Sequence, residues 1–83
     1  MQHFNSVTFD DDADVLYVEL LDAPVDHSRS LDDIRVIDYS ADGAVIGVEF
    51  INATSGVDLS DLPFAETIGR LIGETGLPIS TFA

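Results

Sequence analysis

The chain has the sequence FDDDADVLYVEL from Phe9 to Leu20, in which an acidic turn leads directly into an apolar run. Aspartate tolerates tight-turn geometry and can hydrogen-bond to its own backbone. The β-branched and aromatic residues that follow are typical of a strand. Because residues 6–9 alternate between polar and apolar, we predict a β-hairpin with its loop at residues 11–14.

The length of this loop determines how the two strands of the hairpin pair. It places Phe9 opposite Leu16 and Val7 opposite Val18. Together with Leu20, these side chains then share one face of the sheet and form the start of a core. A shift of one residue would scatter them onto both faces, so the apolar pattern specifies this register.

A second hairpin is predicted around Asp42-Gly43, because Asp-Gly between two apolar runs is a strong signal for a two-residue turn. Its strands are residues 34–39 and residues 45–51. The polar residues 25–31 come after Pro24, which cannot donate to a ladder, and we expect them to form an edge strand.

The two-residue turn also determines the pairing within the second hairpin. It pairs Ile37 with Val48 and Tyr39 with Ile46. One face of this hairpin should therefore continue the core of the first. The side chains predicted on that face are Ile37, Tyr39, Ile46, Val48 and Phe50.

Residues 63–75 are predicted to form a helix. Pro63 suits a first helical position, and Gly76 suits a left-handed cap after the last turn. Apolar residues recur at the i, i+4, i+7 and i+8 spacing of one helical face. These residues are Phe64, Ile68, Leu71 and Ile72.

These elements predict an α+β fold for residues 1–83 as a single domain. Residues 6–52 should form a curled antiparallel sheet of four or five strands that includes two β-hairpins. The C-terminal helix at residues 63–75 should pack on one face of that sheet. Residues 79–82 should form a short strand or a docked tail. The chain has no cysteine, which excludes disulfides.

Three segments resemble one known family. Residues 9–18 match its aromatic-Asp-x-x-Ala-Asp-x-Leu-Tyr-hydrophobic opening, residues 22–25 its next loop, and residues 36–53 its closing hairpin. The chain is thereby similar to domain-of-unknown-function family 2283. The resemblance implies a small prokaryotic protein without an established activity and without agreed catalytic residues. It also implies a possible antitoxin, because some members lie beside small toxin-like proteins.

The charge balance limits the partners of this chain. Sixteen acidic residues against three arginines and no lysine give a net charge of −13. Such a surface repels nucleic acid phosphates and anionic membranes, so we expect the monomer to bind neither. The charge fits a basic partner protein or adaptation to high salt, and both interpretations stay open. We expect Arg29, Arg35 and Arg70 to pair with acidic residues, with the head of Arg35 at the rim of the core.

The sequence does not start with the basic and then apolar residues that would predict a signal peptide. No apolar run approaches the roughly 18 residues of a membrane span. We therefore expect a cytoplasmic protein. His3 and His27 are single and far apart, whereas a metal site needs three or four converging ligands. No cofactor, metal site or catalytic residue is predicted.

The acidic turn shares one feature with a calcium loop, because Asp10, Asp12 and Asp14 alternate as calcium ligands do. A calcium loop also needs glycine at its sixth position and glutamate at its twelfth. Val15 and Leu21 occupy those positions. We therefore interpret the aspartates as a solvated turn.

The face of the sheet opposite the core is the candidate interaction face. It is half apolar and half acidic, and a monomer seldom leaves a large apolar patch exposed. A homodimer is the first expectation for this face, and a small basic protein is the second. The residues predicted on it are Val15, Tyr17, Glu19, Val36, Asp38, Val45, Glu49 and Ile51.

Three functions are compatible with these features. The first is a non-catalytic protein–protein interaction module, with an antitoxin-like role implied by the resemblance. The second is a small hydrolase or a ligand- or metal-binding protein that uses Glu19 and Glu49. The third is a structural domain whose acidic surface is adapted to salt.

Overall fold

The computed structural model describes residues 6–83, and it confirms the predicted α+β class with one main sheet and one helix near the C-terminus. His3 lies outside these residues. The elements are β1 (Ser6–Asp10), β2 (Val15–Glu19), β3 (His27–Asp32), β4 (Arg35–Tyr39), β5 (Val45–Ile51), a 3-10 turn (Ala53–Ser55), β6 (Val57–Asp58), α1 (Ala65–Glu74) and β7 (Thr81–Phe82).

The main sheet has five antiparallel strands in the order β1-β2-β5-β4-β3. The first hairpin has the predicted register, with Val7 opposite Val18 and Phe9 opposite Leu16. In the second hairpin, Ile37 pairs with Val48 as predicted. The polar strand β3 lies at an edge of the sheet, and β5 lies at its centre.

The second hairpin differs from its prediction near the turn. Tyr39 pairs with Val45 and not with Ile46, because the register shifts between Asp38 and Tyr39. The cause lies in Ser40, whose backbone N–H donates to the carbonyl of Ala44 at 2.9 Å and whose Oγ accepts from the Ala44 N–H at 3.0 Å. These bonds close a longer loop than the predicted two-residue turn.

This shift changes the face on which Val45 lies. Val45 packs against the core cluster, as does its neighbour Tyr39. The prediction that Val45 belongs to the opposite face is therefore wrong. The register shift is a β-bulge, which adds one residue to β5. A strand that gains one residue turns its next side chain to the other face.

Helix α1 covers the core face of the sheet. Ile68 and Ile72 are 0% and 1% exposed and belong to the same apolar cluster as Leu16 and Val48. At Gly69 of α1, a Cβ would lie 2.9 Å from Leu59 Cδ1, so the glycine leaves room for the Leu59 side chain beside the helix. The helix therefore packs on one side of the sheet, as predicted.

The helix starts later than predicted. Phe64 has φ 57° and ψ 33°, which is left-handed backbone, so the helix begins at Ala65 and not at Pro63. Phe64 is also 60% exposed, so its predicted place in the core is wrong. At the other end, Gly76 has φ 74° and follows the last turn, as expected for a left-handed cap.

Arg35 connects the sheet to the segment before the helix. Its Nη1 donates to the carbonyl oxygens of Asp58 at 3.0 Å and of Ser60 at 2.6 Å. Its Nε and Nη2 bind Asp32 Oδ2 at 2.8 and 2.7 Å. Only 6% of the residue is exposed, so the guanidinium is buried and does not lie at the rim as predicted.

The C-terminal residues pair with this anchored segment. Val57 lies opposite Thr81 and Asp58 opposite Phe82 in a short parallel pair of β6 and β7. Residues 79–82 thus contain a two-residue strand outside the main sheet. Within residues 6–83, no helix is both long and apolar enough to cross a membrane.

Candidate functional site

The sheet face that points away from α1 is the candidate site, and we call it the open face. No helix among residues 6–83 packs on it, because Ile68 and Ile72 lie in the core on the other side. Strand alternation and the observed pairings bring together every residue predicted there except Val45. The open-face residues are Val15, Tyr17, Glu19, Val36, Asp38, Gly47, Glu49 and Ile51.

Tyr17 crosses the centre of the open face. Its hydroxyl, on β2, donates to Asp38 Oδ2 on β4 at 3.0 Å, although β5 lies between the two strands. The crossing point is Gly47, where a Cβ would lie 2.6 Å from Tyr17 Cζ and 2.6 Å from the Val18 carbonyl oxygen. Glycine at this position therefore makes room for the tyrosine.

Asp38 receives a second hydrogen bond from the edge strand. Ser28 Oγ on β3 donates to Asp38 Oδ1 at 2.5 Å, so one carboxylate joins side chains from β2 and β3. Our prediction did not include Ser28. The alternation of β3 would have placed Ser28 on the open face, but its polar sequence left the register of this strand unspecified.

The electrostatics of this site keep Tyr17 protonated. Partial burial is the main cause that raises the pKa of Tyr17, and the hydrogen bond to Asp38 adds to it. The negative charges of Asp38, Glu19 and Glu49 act in the same direction. Tyr17 is therefore a hydrogen-bond donor with a fixed ring, and it is not a general base near neutral pH.

Glu19 and Glu49 lie on either side of Tyr17. Glu49 is its direct partner across β2 and β5, and Glu19 is two residues along the same strand. Both glutamates are half-buried. Ser6 Oγ lies 3.5 Å from Glu19 Oε1, which is a long hydrogen bond. Among residues 6–83, no ion pair involves either glutamate or Asp38.

The arginines near the sheet lie on its other face. Arg29 is paired with Ile37 and Arg35 with Phe50, and both apolar partners are core residues. Within the described part of the chain, the open face therefore carries carboxylates and no cation. Its apolar portion includes Val15 opposite Ile51, and Ile51 is 37% exposed.

The acidic turn has a structural role that its sequence did not reveal. Asp14 has φ 56°, and its carboxylate accepts from the Thr54 N–H at 2.9 Å and the Thr54 hydroxyl at 2.7 Å. Asp10 Oδ1 accepts from the N–H groups of Asp12 and Ala13 at 3.1 and 3.2 Å. The turn thus closes on itself and binds the loop after β5.

Metal binding would need several carboxylate oxygens close together. Within residues 6–83, Asp10, Asp11 and Asp12 form a group whose oxygens lie within 4.8 Å of one another, and all three are exposed. The open-face carboxylates do not form such a group in this part of the chain. The open face is suited instead to accept hydrogen bonds from guanidinium or ammonium groups.

His27 and the remaining arginine make local contacts. His27 lies in the edge strand β3, stacks on Tyr39 with ring centres 5.2 Å apart, and contacts Asp26 through Nδ1 at 2.9 Å. Arg70 lies 3.9 Å from Glu74 on the exposed side of α1. Neither contact involves the open face.

Comparison with known proteins gives one match. A family model described as "Protein of unknown function (DUF2283)" matches residues 6–53, which span β1 to β5 and so include every strand of the open face. The match confirms the resemblance found in the two hairpins. No curated protein and no solved structure matches the chain.

Proposed function

The chain belongs to the family described as protein of unknown function (DUF2283), and we propose that it is a non-catalytic module that binds a basic protein through its open face. The observation that supports this proposal most is the charge of that face. Glu19, Asp38 and Glu49 carry no cationic partner within residues 6–83, and apolar side chains lie beside them on the same face.

A basic partner would satisfy both parts of this surface. Its arginines or lysines would pair with the half-buried carboxylates of Glu19 and Glu49, and arginine would do so with two parallel hydrogen bonds. Its apolar side chains would cover Val15, Val36 and Ile51. The net charge of −13 would draw such a partner over long range and speed association at low salt.

A second copy of the chain is less suited to the same face. Two copies would bring their own glutamates and Asp38 together without a cation between them, and like charges at an interface are destabilising. The homodimer predicted from the sequence remains a prediction. It would need a surface other than the open face.

The family resemblance suggests a particular class of partner. An antitoxin-like role would make the partner a small basic toxin, and we place the encounter in the cytoplasm. The module would then act by covering the toxin, and it would need no catalytic residue. A protonated Tyr17 and carboxylates that already accept hydrogen bonds fit a contact surface better than an acid–base site.

Affinity capture from the cells in which the protein occurs tests this proposal. The bait is the wild-type chain, a Glu19→Gln/Glu49→Gln double variant, or a matched Glu66→Gln/Glu74→Gln double variant. The matched variant removes the same charge from exposed positions on α1. We expect the wild type and the matched variant to capture a small basic protein, and salt should release it. The open-face variant should not capture this protein.

Two results would overturn the proposal. In the first, the basic protein binds the open-face variant as well as the wild type, which would place its contact elsewhere. In the second, no protein is captured and stability rises steeply up to about 2 M salt, which would favour a structural domain adapted to salt.

The hydrolase or ligand-binding alternative makes a different prediction for the same variants. Loss of both Glu19 and Glu49 would then abolish turnover or ligand binding without any change in captured proteins. The structure offers no observation that favours this alternative over the interaction module.

A further inference from the structure

A cavity of about 600 Å³ lies between the start of α1 and the loop that joins β4 and β5. Its wall includes Leu20 and Leu21, which follow β2, Val45 at the start of β5, and Phe64 and Arg70 from the helix region. The volume lies within the roughly 300–1,000 Å³ that is usual for small-molecule sites. The cavity is separate from the open face, because Val45 packs on the core side of the sheet.

Phe64 gives this cavity an exposed aromatic wall. A bulky residue at positive φ is a true conformational outlier, and Phe64 has φ 57°. The side chain also remains 60% exposed, so burial in the core does not explain its conformation. Backbone outliers that packing does not explain are concentrated at functional sites.

Arg70 is the one charged residue in the wall of the cavity. Its nearest carboxylate is Glu74 at 3.9 Å, and the two side chains are 60% and 62% exposed. An exposed pair at this distance is weak, so the guanidinium can accept another anion. Arg70 thus places one positive charge in the wall of the cavity, in a chain whose net charge is −13.

We propose that this cavity binds a small amphipathic monocarboxylate, with its apolar chain against Leu20, Leu21 and Phe64 and its carboxylate on Arg70. The apolar wall supplies most of the affinity, because burial of an alkyl chain is favourable in proportion to its area. A phosphate or other multiply charged anion is disfavoured, because the acidic chain repels it more strongly than a single negative charge. This inference does not rest on the proposed function.

Titration with sodium octanoate and with neutral 1-octanol tests the site by chemical shift changes in amide NMR spectra. Octanoate should shift the amides of Leu21, Val45 and Arg70 and leave those of the open face unchanged. Arg70→Gln should weaken octanoate binding about fivefold and leave octanol binding unchanged. Arg29→Gln removes the same charge from the exposed edge strand β3, and it should change neither affinity.

A second variant tests the apolar wall. Phe64→Gly removes the ring at a position where glycine adopts the same backbone without strain, so the fold should remain intact. Both octanoate and octanol should then bind more weakly. If Phe64→Gly binds both ligands as well as the wild type does, the ring has no part in the site and the proposal is wrong.

Other occupants of the cavity give distinct results. Equal losses for Arg70→Gln and Arg29→Gln would show attraction by charge in general and would overturn the site. A dimer whose formation protects the same amides would assign the cavity to a second copy of the chain.

Discussion

The hydroxyl of Tyr17 on β2 donates a 3.0 Å hydrogen bond to Asp38 on β4, and it reaches that carboxylate by passing over Gly47 of the intervening strand. The contact links strands that are not neighbours in the sheet. It also fixes the aromatic ring on the open face, where Glu49 is the cross-strand partner of Tyr17 and Glu19 lies two residues along β2. The path of the Tyr17 side chain across this face therefore depends on Gly47, a residue without a side chain.

Gly47→Ala tests this crossing. A methyl group at position 47 would meet both the Tyr17 ring and the Val18 carbonyl oxygen at 2.6 Å, and the backbone oxygen has little freedom to move. We expect a loss of about 1–3 kcal/mol in the free energy of unfolding, as for overpacked cores. Urea denaturation measures it.

Gly73→Ala is the control for this variant. Gly73 lies in α1, and a methyl group added there would have nothing within 4 Å, so alanine should stabilise the helix by about 1 kcal/mol. Equal stability changes for the two variants would contradict the crossing geometry at Gly47.

Tyr17→Phe tests the hydrogen bond and its dependence on pH. The pKa of Tyr17 is raised above its ordinary value of 10.0, so its contribution to stability is complete below pH 10 and is lost as the pH rises further. The wild type should lose stability above pH 10, and Tyr17→Phe should lose less. At neutral pH, Tyr17→Phe should lower the free energy of unfolding by about 1 kcal/mol.

The comparison for Tyr17→Phe is Ser28→Ala, measured by thermal melts between pH 7 and pH 11. Ser28→Ala removes the other donor to Asp38 and leaves the tyrosine hydroxyl in place. It should keep the alkaline loss of stability. If the Tyr17→Phe and wild-type curves run parallel above pH 10, the hydroxyl of Tyr17 is not the group responsible.

Arg35→Met tests the buried guanidinium. The substitution leaves the carbonyl groups of Asp58 and Ser60 without their donor and Asp32 without its ion pair. We expect a loss of about 3 kcal/mol, because removal of one partner from a buried charged network is strongly destabilising. Arg29→Met, at an exposed position on β3, should change stability by less than about 0.5 kcal/mol.

The same variant should change the acid limb of stability. The hydrogen bond from Arg35 is the main cause that holds the pKa of Asp32 below its ordinary value of 3.8. Stability from this carboxylate is present above pH 3.8 and is lost as the pH falls. Melts between pH 2 and pH 7 should therefore show a shallower acid loss for Arg35→Met than for the wild type.

Asp14→Ala tests the contact between the acidic turn and the loop after β5. The substitution removes two acceptors from Thr54 and puts alanine at φ 56°. We expect a loss of about 1–2 kcal/mol. Asp11→Ala, at an exposed position in the same turn, should lower the free energy of unfolding by less than about 0.5 kcal/mol. Millimolar calcium should not change the melting temperature of either variant.

Ile68→Asp and Phe64→Asp test the revised position of α1. Ile68 is 0% exposed, so an aspartate there would be a buried charge without a partner and should unfold the domain. Phe64 is 60% exposed, so the same substitution should leave a cooperative melt. Circular dichroism distinguishes the two, and a folded Ile68→Asp variant would refute the docking of the helix.

The strands could be predicted because their signals are local. Alternation at a period of two assigns Val7, Phe9, Leu16 and Val18 to one face, and a slip of one residue would expose them. The same alternation brought Tyr17, Glu19, Asp38 and Glu49 to the opposite face. The apolar spacing of α1 likewise identified Ile68 and Ile72, although not where the helix begins.

Two of the errors, at Val45 and Phe64, share a different cause. Val45 turned to the core because hydrogen bonds of Ser40 lengthened a turn that Asp42-Gly43 alone would have made shorter. Phe64 left the core because its backbone is left-handed, which no helical periodicity shows. In both cases a single backbone conformation outweighed a correct residue pattern.

The sequence by itself determined the α+β class, the register of the first hairpin, the family and the acidic character of the open face, since each follows from neighbouring residues. Tertiary structure decided the contacts between residues that are distant in the sequence. Tyr17 meets Asp38 across 21 positions, Asp14 meets Thr54 across 40, and Arg35 meets Ser60 across 25. Such contacts depend on how the packed sheet and loops bring distant residues together, and no pattern among neighbouring residues predicts which of them will meet.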